Sequence, residues 1–465
     1  MNRASKYNIY LKLGKKENKN LIVQGYRGSF DVVNDNIVEI LKEAEEDYTV
    51  LNKLSAEDLE VLKKRGYVTE QNEEEEYGTI EKISDILNQV CCNSITVTIM
   101  PTYNCNFRCE YCFEQNLLEK GKEWLCGKMT TQMVDAIFAQ LKSYKEEGKK
   151  VTSIYLFGGE PLLRTNKDIV SYICEKSREL ELPISCISNG YDLNEYIDLV
   201  KEYKFDKIQI TVDGIGKEHD KRRFLAGGQG SYERIMNNIE LALENGINIT
   251  VRTNVNKKNT ESVKTLMEEY QRRGWIGKEN FHYYFKSTLR CYEEVGTALS
   301  DVELMRKLAD TYGETMDRFQ FNSIYQSLCN SIQYMLVNNT IAPLRSGYCG
   351  AHTGMYTIDP YGDIYPCWDV LSQEDCKIGS VDVEEGKFVF NNHHDQWKKR
   401  TVDKLSDCKS CRYMLFCGGG CSAQAKVINN DINKVFCDDF TQIFDEIAVE
   451  TVDKLLDKNA QEAAV

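Results

Sequence analysis

Cysteine constrains this chain more than any other residue type, because 18 of its 465 residues are cysteines. The opening stretch, MNRASKYNIYLKLGKK, lacks the apolar core of a secretory signal, so a disulfide framework is not expected. Metal ligation or redox chemistry therefore becomes the leading interpretation of the cysteines.

Charge and hydropathy argue against two classes of partner. The chain has 58 Lys and Arg residues against 72 Asp and Glu residues, and the net charge of −14 argues against binding to duplex nucleic acid. No apolar run approaches the roughly 18 to 20 residues that span a bilayer, so we expect no membrane insertion. The length predicts two or three domains.

Residues 1–90 form the first predicted domain. Alternating apolar and polar residues predict three strands, and helical spacing follows, with Ser55 as the N-cap and Gly66 as the C-cap of the second helix. This order favours a winged-helix-like unit; the alternative is a β-rich extension of the next domain. The four consecutive acids from Glu73 to Glu76 predict a solvated linker.

Residues 91–320 form the second predicted domain, in which strands and helices alternate. Six βα units in a row predict an α/β fold with a parallel sheet, whose functional groups lie at the carboxyl ends of the strands. The predicted strands are Ile95–Met100, Ser153–Phe157, Ile184–Ile187, Lys207–Val212, Ile249–Asn254 and Phe281–Phe285.

Residues 321–465 form the third predicted domain. Here the apolar periodicity breaks and cysteines become dense, so we expect metal crosslinks rather than an apolar core to organise the region. Residues 440–456 return to a helical pattern.

Three cysteines lie on the loop that follows the first predicted barrel strand: Cys105, Cys109 and Cys112. Thiolates spaced three and two residues apart can wrap around one iron–sulfur cubane and leave its fourth iron without a protein ligand. The alternative, a zinc knuckle, usually has four protein ligands, and no histidine lies nearby to complete one.

This loop, with Phe113 after it, resembles the signature of radical S-adenosylmethionine (radical SAM) enzymes. The resemblance implies a partial (β/α)6 TIM-like barrel and a [4Fe-4S] cluster on Cys105, Cys109 and Cys112, whose unique iron chelates S-adenosylmethionine. One electron, from a donor such as flavodoxin or ferredoxin, then cleaves the cofactor to a 5′-deoxyadenosyl radical that abstracts a hydrogen atom. Because such clusters are sensitive to oxygen, we expect an anaerobic cytoplasm.

Further motifs at later strand ends resemble the cofactor-binding motifs of the same family. The resemblance implies that two glycines let the backbone approach the methionine amino group, that a glutamate lies near this group, and that a serine and an arginine contact the cofactor. The cofactor-binding residues expected in this way are Gly158, Gly159, Glu160, Ser188, Asp213 and Arg223.

The cysteines after residue 340 resemble the seven-cysteine SPASM domain. The resemblance implies two auxiliary [4Fe-4S] clusters, one on Cys408, Cys411, Cys417 and Cys437 and the other on Cys349, Cys367 and Cys421. Either Cys376 is the fourth ligand of the second cluster, or one iron of that cluster is open to a substrate thiolate. The alternative to two iron–sulfur clusters is one or two zinc ribbons. Most of the eight remaining cysteines are expected to be small buried side chains.

Two features limit the class of substrate that we expect. The N-terminal domain resembles the element that captures the leader of a precursor peptide by adding it as a strand to a sheet edge. Sulfatase-maturing relatives carry an aspartate directly after the second SPASM cysteine, where it accepts a proton. Here Trp368 occupies that position, and Asp369, one residue later, is the candidate catalytic residue.

The expected function is that of a radical SAM peptide maturase, which forms a thioether between a cysteine sulfur and a carbon of a precursor peptide. The alternatives are an anaerobic sulfatase-type formylglycine maturase and a maturase that forms carbon–carbon crosslinks. A metal-binding scaffold without catalysis is the alternative outside the enzymes.

Overall fold

The computed structural model describes residues 2–14, 16–288, 296–312, 324–338, 340, 342–371 and 373–462. The chain divides into two compact units, each assembled from separated segments. The first unit comprises residues 1–90, 323–349 and 399–465, and the second comprises residues 91–322 and 350–398. No helix in the described ranges has the length and apolar character needed to cross a bilayer.

The first unit begins with short antiparallel strands. Strand β1 (Arg3–Ala4) pairs with β5 (Val68–Thr69), and β2 (Asn8–Lys12), β3 (Lys19–Gln24) and β4 (Phe30–Asn34) form a three-stranded sheet in that order. Helices follow at Asp35–Glu43, Ala56–Arg65 and Glu73–Cys92. The strands and helices predicted for this region are confirmed.

Both predicted caps of helix Ala56–Arg65 are confirmed. The hydroxyl of Ser55 accepts the amide of Asp58 at 3.0 Å, which satisfies one unpaired donor of the first turn. Gly66 ends the helix at φ +90°, in the left-handed region that glycine adopts at little cost.

The prediction of a solvated linker at Glu73 to Glu76 is wrong. These acids begin helix Glu73–Cys92, whose Glu76, Ile80 and Ser84 are buried on one face at intervals of four residues. The carboxylate of Glu76 receives Arg3 Nη2 at 2.6 Å and the hydroxyl of Ser5 at 2.5 Å. A negative charge at the start of a helix is favourable, and these partners offset its burial.

Apolar residues also organise the cysteine-rich part of the first unit, contrary to our expectation. Val402, Leu405 and Leu415 are buried in one cluster with Tyr26 and Ile80, two residues that precede them by more than 300 positions in the sequence. The described helices of this part are Ile324–Asn338, Met414–Cys417, Ser422–Asn429 and Phe440–Glu462, and the last confirms the predicted terminal helix.

The second unit contains the predicted parallel sheet. Its strands are β6 (Ser94–Ile99), β7 (Lys150–Leu156), β8 (Ile184–Ser188), β9 (Lys207–Thr211), β10 (Ile249–Val255) and β11 (Phe281–Ser287). Neighbours in this order pair in parallel, which confirms the α/β partial barrel. The main intervening helices are Thr131–Glu146, Lys167–Glu179, Ile197–Glu202, Tyr232–Glu244 and Ser262–Arg272.

Strand β6 shows why the sheet has two different faces. Ile95, Val97 and Ile99 are buried, whereas the alternate residues Thr96 and Thr98 line a cavity in the second unit. This period of two places apolar side chains on one face and polar side chains on the other.

Four further strands extend the sheet beyond β6. Strand β12 (Met355–Ile358) pairs with β6 in parallel, and β13 (Asp363–Tyr365), β14 (Gly379–Asp382) and β15 (Lys387–Phe390) follow in antiparallel order. This segment, expected to be organised by metal, is therefore part of a ten-stranded sheet.

Candidate active site

The three cysteines of the first motif line one cavity in the second unit, at the carboxyl ends of the barrel strands. Most of the predicted cofactor residues line the same cavity. The predicted residues that it brings together are Cys105, Cys109, Cys112, Gly158, Gly159, Glu160, Ser188, Arg223 and Asp369. Asp213 does not belong to this lining.

The two glycines after β7 are required by the cysteine loop itself. Gly158 has φ +127°, and a Cβ on Gly159 would lie 2.3 Å from the carbonyl oxygen of Tyr103. The next amide, that of Glu160, donates to the carbonyl of Asn104 at 2.9 Å. This close packing therefore places Glu160 beside the loop that carries Cys105.

Glu160 joins the ends of strands β7 and β8. Its buried carboxylate accepts the amide of Leu162 at 2.9 Å, the hydroxyl of Ser188 at 2.7 Å and the amide of Asn189 at 2.6 Å. Burial raises the pKa of Glu160 to about 7, although these donors oppose the rise. The geometry gives Glu160 a structural role at the site, in addition to the cofactor contact expected for it.

Asp213 reaches the cavity through Tyr111, which lies between two of the cysteines. The hydroxyl of Tyr111 donates to the carboxylate of Asp213 and accepts Arg223 Nη1 at 2.9 Å. The backbone amide of Asn254 donates to Asp213 Oδ1 at 2.8 Å. Asp213 is thus placed to orient the cysteine loop, while the buried Nε of Arg223 has no hydrogen-bond partner among the described residues.

The thiols of the loop lie in a strongly desolvated environment. Burial raises the pKa values of Cys105, Cys109 and Cys112, that of Cys112 to about 12. A bound cation would reverse this effect, because a coordinating thiol is deprotonated. Among the described residues, no three His, Cys, Asp or Glu side chains converge closely enough to bind a single metal ion. A donor set made only of thiols fits an iron–sulfur cluster.

The sequence analysis missed Glu114, two residues after Cys112. Its side chain is 6% exposed and lines the cysteine cavity, and its Oε1 has no hydrogen-bond partner among the described residues. Burial raises the pKa of Glu114 to about 8, and the nearby Glu160 adds to the rise. Its position directly after the motif is the only signal that could have indicated it.

Asp369 lies in a short helical turn, Trp368–Val370, that follows Cys367. Trp368 packs edge-on against Phe157, with ring centroids 5.5 Å apart, and both residues line the cysteine cavity with Asp369. The carboxylate expected to accept a proton therefore belongs to the same cavity as Cys105, Cys109 and Cys112.

In the first unit, four cysteines predicted to surround one auxiliary cluster influence one another electrostatically. Burial, reinforced by the neighbouring thiols, raises the pKa of Cys408 to about 12 and that of Cys417 to about 11. Cys411 and Cys437 contribute to both shifts.

The remaining auxiliary ligands are divided between the units. Cys349 and Cys421 belong to the first unit, and Cys367 and the alternative ligand Cys376 belong to the second. The second auxiliary cluster and the role of Cys376 therefore stay predictions.

Burial of the other cysteines is confirmed in part. Cys174, Cys186 and Cys376 are buried, whereas Cys92 is partly exposed and Cys91 and Cys126 are exposed. The three that are not buried lie at or just after the ends of helices. Cys291 and the side chain of Cys329 lie outside the described residues.

Comparison with protein families identifies the part of the chain that carries the three cysteines. Residues 99–270 match the model of the radical SAM superfamily. The chain carries a radical SAM domain. The predicted resemblance of this part of the chain to the radical SAM superfamily is thereby confirmed.

Two curated relatives of this chain have names that refer to maturation or biosynthesis. The cysteine-type anaerobic sulfatase-maturating enzyme of Clostridium novyi is 24% identical over 371 residues, which cover 76% of this chain and 95% of the relative. The antilisterial bacteriocin subtilosin biosynthesis protein AlbA of Bacillus subtilis is 24% identical over 329 residues, which cover 68% of this chain and 65% of AlbA.

Solved structures share the radical SAM fold. Native anSMEcpe with bound AdoMet aligns with a TM-score of 0.59 at 18% identity and covers 79% of this chain and 100% of its own. Streptococcus suis SuiB bound to the precursor peptide SuiA aligns with a TM-score of 0.52 at 15% identity and covers 94% of this chain and 98% of its own.

Proposed function

We propose that this radical SAM enzyme modifies a ribosomally made precursor peptide by forming an intramolecular thioether. The observation that carries the proposal is one cavity that brings together the three cysteines, five of the six predicted cofactor residues and Asp369. When bound to Cys105, Cys109 and Cys112, a reduced [4Fe-4S] cluster with S-adenosylmethionine supplies a radical that removes a hydrogen atom from a substrate carbon.

The residues of the cavity have separate roles in this proposal. Arg223, with its unpartnered Nε, holds the carboxylate of the cofactor, and Glu160 fixes the strand ends beside its amino group. Asp369 accepts the proton released as the substrate carbon forms its bond to sulfur. Aromatic rings of Phe157 and Trp368 keep water away from the reacting atoms.

Relatives and the N-terminal sheet support a peptide substrate. One relative is named as a sulfatase-maturating enzyme, another as a bacteriocin biosynthesis protein, and SuiB has been solved with a precursor peptide. In the first unit, β2 and β4 are the outer strands of the sheet β2-β3-β4, and a peptide strand can add only to an outer strand of a sheet. We assign leader binding to this sheet.

The two predicted cysteine groups described above would hold two auxiliary [4Fe-4S] clusters, which would provide an acceptor for the electron released on crosslinking. Conversion of one S–H and one C–H bond into C–S releases two hydrogens. One leaves as a hydrogen atom to the cofactor-derived radical, and the other leaves as a proton and an electron. A flavodoxin or ferredoxin would supply the electron that starts each turnover.

The decisive experiment uses reconstituted, reduced enzyme with S-adenosylmethionine and the precursor encoded beside its gene. We expect the peptide to lose two hydrogen atoms by mass spectrometry and to have one thiol fewer for alkylation. Unchanged mass with a hydrogen taken from solvent would indicate epimerisation and contradict the proposal.

Formylglycine formation is the second candidate, because Asp369 lines the cysteine cavity despite its displacement by one residue from the family position. In that reaction the substrate cysteine loses its sulfur, so the product mass separates the two functions. A carbon–carbon crosslink would also remove two hydrogens but would leave every thiol open to alkylation.

A further inference from the structure

A second cavity, of about 620 Å³, lies within the second unit, on the inner face of the partial barrel. It shares Ile187, Gln209, Arg252 and Trp368 with the cysteine cavity, so the two are adjacent. In the proposed function this barrel cavity receives the segment of the peptide that is modified.

The charge of the barrel cavity is opposite to that of the whole chain. Its described lining includes the cations Lys207, Arg252 and Lys286 but no carboxylate, although the net charge of the chain is −14. Lys286 is neutralised, because its Nζ lies 2.6 Å from the carboxylate of Asp301. Lys207 begins β9 and so lies at the end of the sheet away from the cysteines.

Arg252 is the cation placed to act at the junction of the two cavities. It lies on β10, where its register partners are Thr211 on β9 and Tyr284 on β11. Its Nε donates to Asn254 Oδ1 at 2.8 Å, and no described carboxylate lies within ion-pair distance of its guanidinium. Two terminal nitrogens are thus left to form a paired hydrogen bond with one carboxylate.

We propose that Arg252 binds a carboxylate of the peptide substrate, so that an aspartate or glutamate lies beside the carbon that is modified. This inference rests on the proposed function only in taking a peptide as the substrate. It names a class of sequence, an acidic one, for the segment that enters the barrel.

Binding can be measured without turnover. The probes are the tripeptides acetyl-Gly-Asp-Gly-amide and acetyl-Gly-Asn-Gly-amide, which differ in charge but little in shape, and the protein is the reconstituted holoenzyme with S-adenosylmethionine. We expect ligand-observed NMR titration to show a preference for the Asp peptide of about tenfold, the effect of one charged hydrogen-bonded contact. Arg252→Gln should abolish this preference and Arg252→Lys should retain part of it.

Lys207→Gln is the matched control, since it removes a cation from the same cavity at its other end and should leave the preference unchanged. Affinity for S-adenosylmethionine, measured on every variant, reports folding of the site. Equal binding of the two peptides by the unaltered enzyme, or a preference that survives Arg252→Gln, would overturn the proposal. So would a loss of cofactor affinity in Arg252→Gln, because Arg252 would then hold the carboxylate of the cofactor.

The outcome is independent of the reaction type. A thioether product without a preference for the Asp peptide would refute the role of Arg252 alone. A clear preference with another product would refute the thioether alone.

Discussion

Ser188 Oγ donates to Glu160 Oε1 over 2.7 Å, and this buried bond ties the end of one barrel strand to the loop after its neighbour. We expect Ser188→Ala to lower the free energy of unfolding by about 2 kcal/mol, because a buried carboxylate loses a donor. The same loss should raise the pKa of Glu160 further, since the Ser188 hydroxyl lowers it. Urea denaturation measures the stability, and Ser143→Ala, at a partly exposed helix position, serves as a control that should change it little.

Removal of one thiol from the first motif should abolish one cluster. We expect Cys109→Ala to lose about four irons of about twelve in the reconstituted protein and to stop cleavage of S-adenosylmethionine. Cys126→Ala, an exposed cysteine of the same unit, should retain both. Full iron content in Cys109→Ala, measured by plasma emission, would contradict the assignment of this ligand.

Arg400 should be needed to hold the predicted auxiliary cysteines of the first unit in position for cluster binding. Its guanidinium donates to the carbonyls of Gly419 and Lys434 at 3.3 and 3.0 Å, and so clamps the loops before Cys421 and Cys437. In Arg400→Gln the shorter, uncharged side chain cannot donate to both carbonyls. We therefore expect the auxiliary cluster signals to be lost in electron paramagnetic resonance spectra, while the signal of the radical SAM cluster remains. The exposed Lys409→Gln is the matched control; an unaltered auxiliary spectrum in Arg400→Gln would exclude this role.

Loss of the buried Glu76 carboxylate from its ion pair with the partly exposed Arg3 should lower stability strongly. Its oxygen–nitrogen distance is 2.6 Å and the Glu76 side chain is fully buried. We expect Glu76→Gln to cost about 3 kcal/mol, since it leaves a guanidinium without its counter-charge. The exposed pair of Lys6 and Glu73 provides the comparison, and Glu73→Gln should cost less than about 1 kcal/mol by chemical denaturation.

Stability should depend on the titration of Asp359. Burial raises its pKa from the ordinary value of 3.8 to about 6, and its carboxylate accepts the hydroxyl of Tyr103 at 2.9 Å. The unfolded chain releases this proton first, so stability falls as the pH rises from 3.8 to about 6. Asp359→Asn should flatten this part of the stability curve by about 3 kcal/mol. The prediction would be contradicted if the free energy of unfolding had the same pH dependence in the unaltered protein and in Asp359→Asn.

Local patterns were sufficient to predict much of the second unit. The β-branched residues between Ile249 and Val255 were enough to predict a strand, which the structure shows. The spacing of Cys105, Cys109 and Cys112 was enough to predict that their side chains come together, and all three line one cavity. These features depend on neighbours within a few residues.

Features that depend on distant partners were not predictable in this way. Glu76 reads as a surface acid until Arg3 and Ser5 lie against it. Arg252 is one of many arginines in the sequence, and only the register of β10 with β9 and β11 brings it between the two cavities. Asp213 belongs to a motif at a strand end, but Tyr111 lies between its carboxylate and the cysteine cavity, and nothing in the sequence indicated this contact.

The parallel pairing of β12 with β6 affects how this chain can be divided for biochemistry. Cleavage or truncation before Met355 would expose the ladder groups of Thr96 to Ile99 along a buried, β-branched strand, which is a site for aggregation. A radical SAM domain excised at residue 350 should therefore precipitate, whereas a fragment that continues through Phe390 would keep the four added strands and their short outer edge. Domain exchange between chains of this architecture would have to place its junctions after Phe390, at the end of β15.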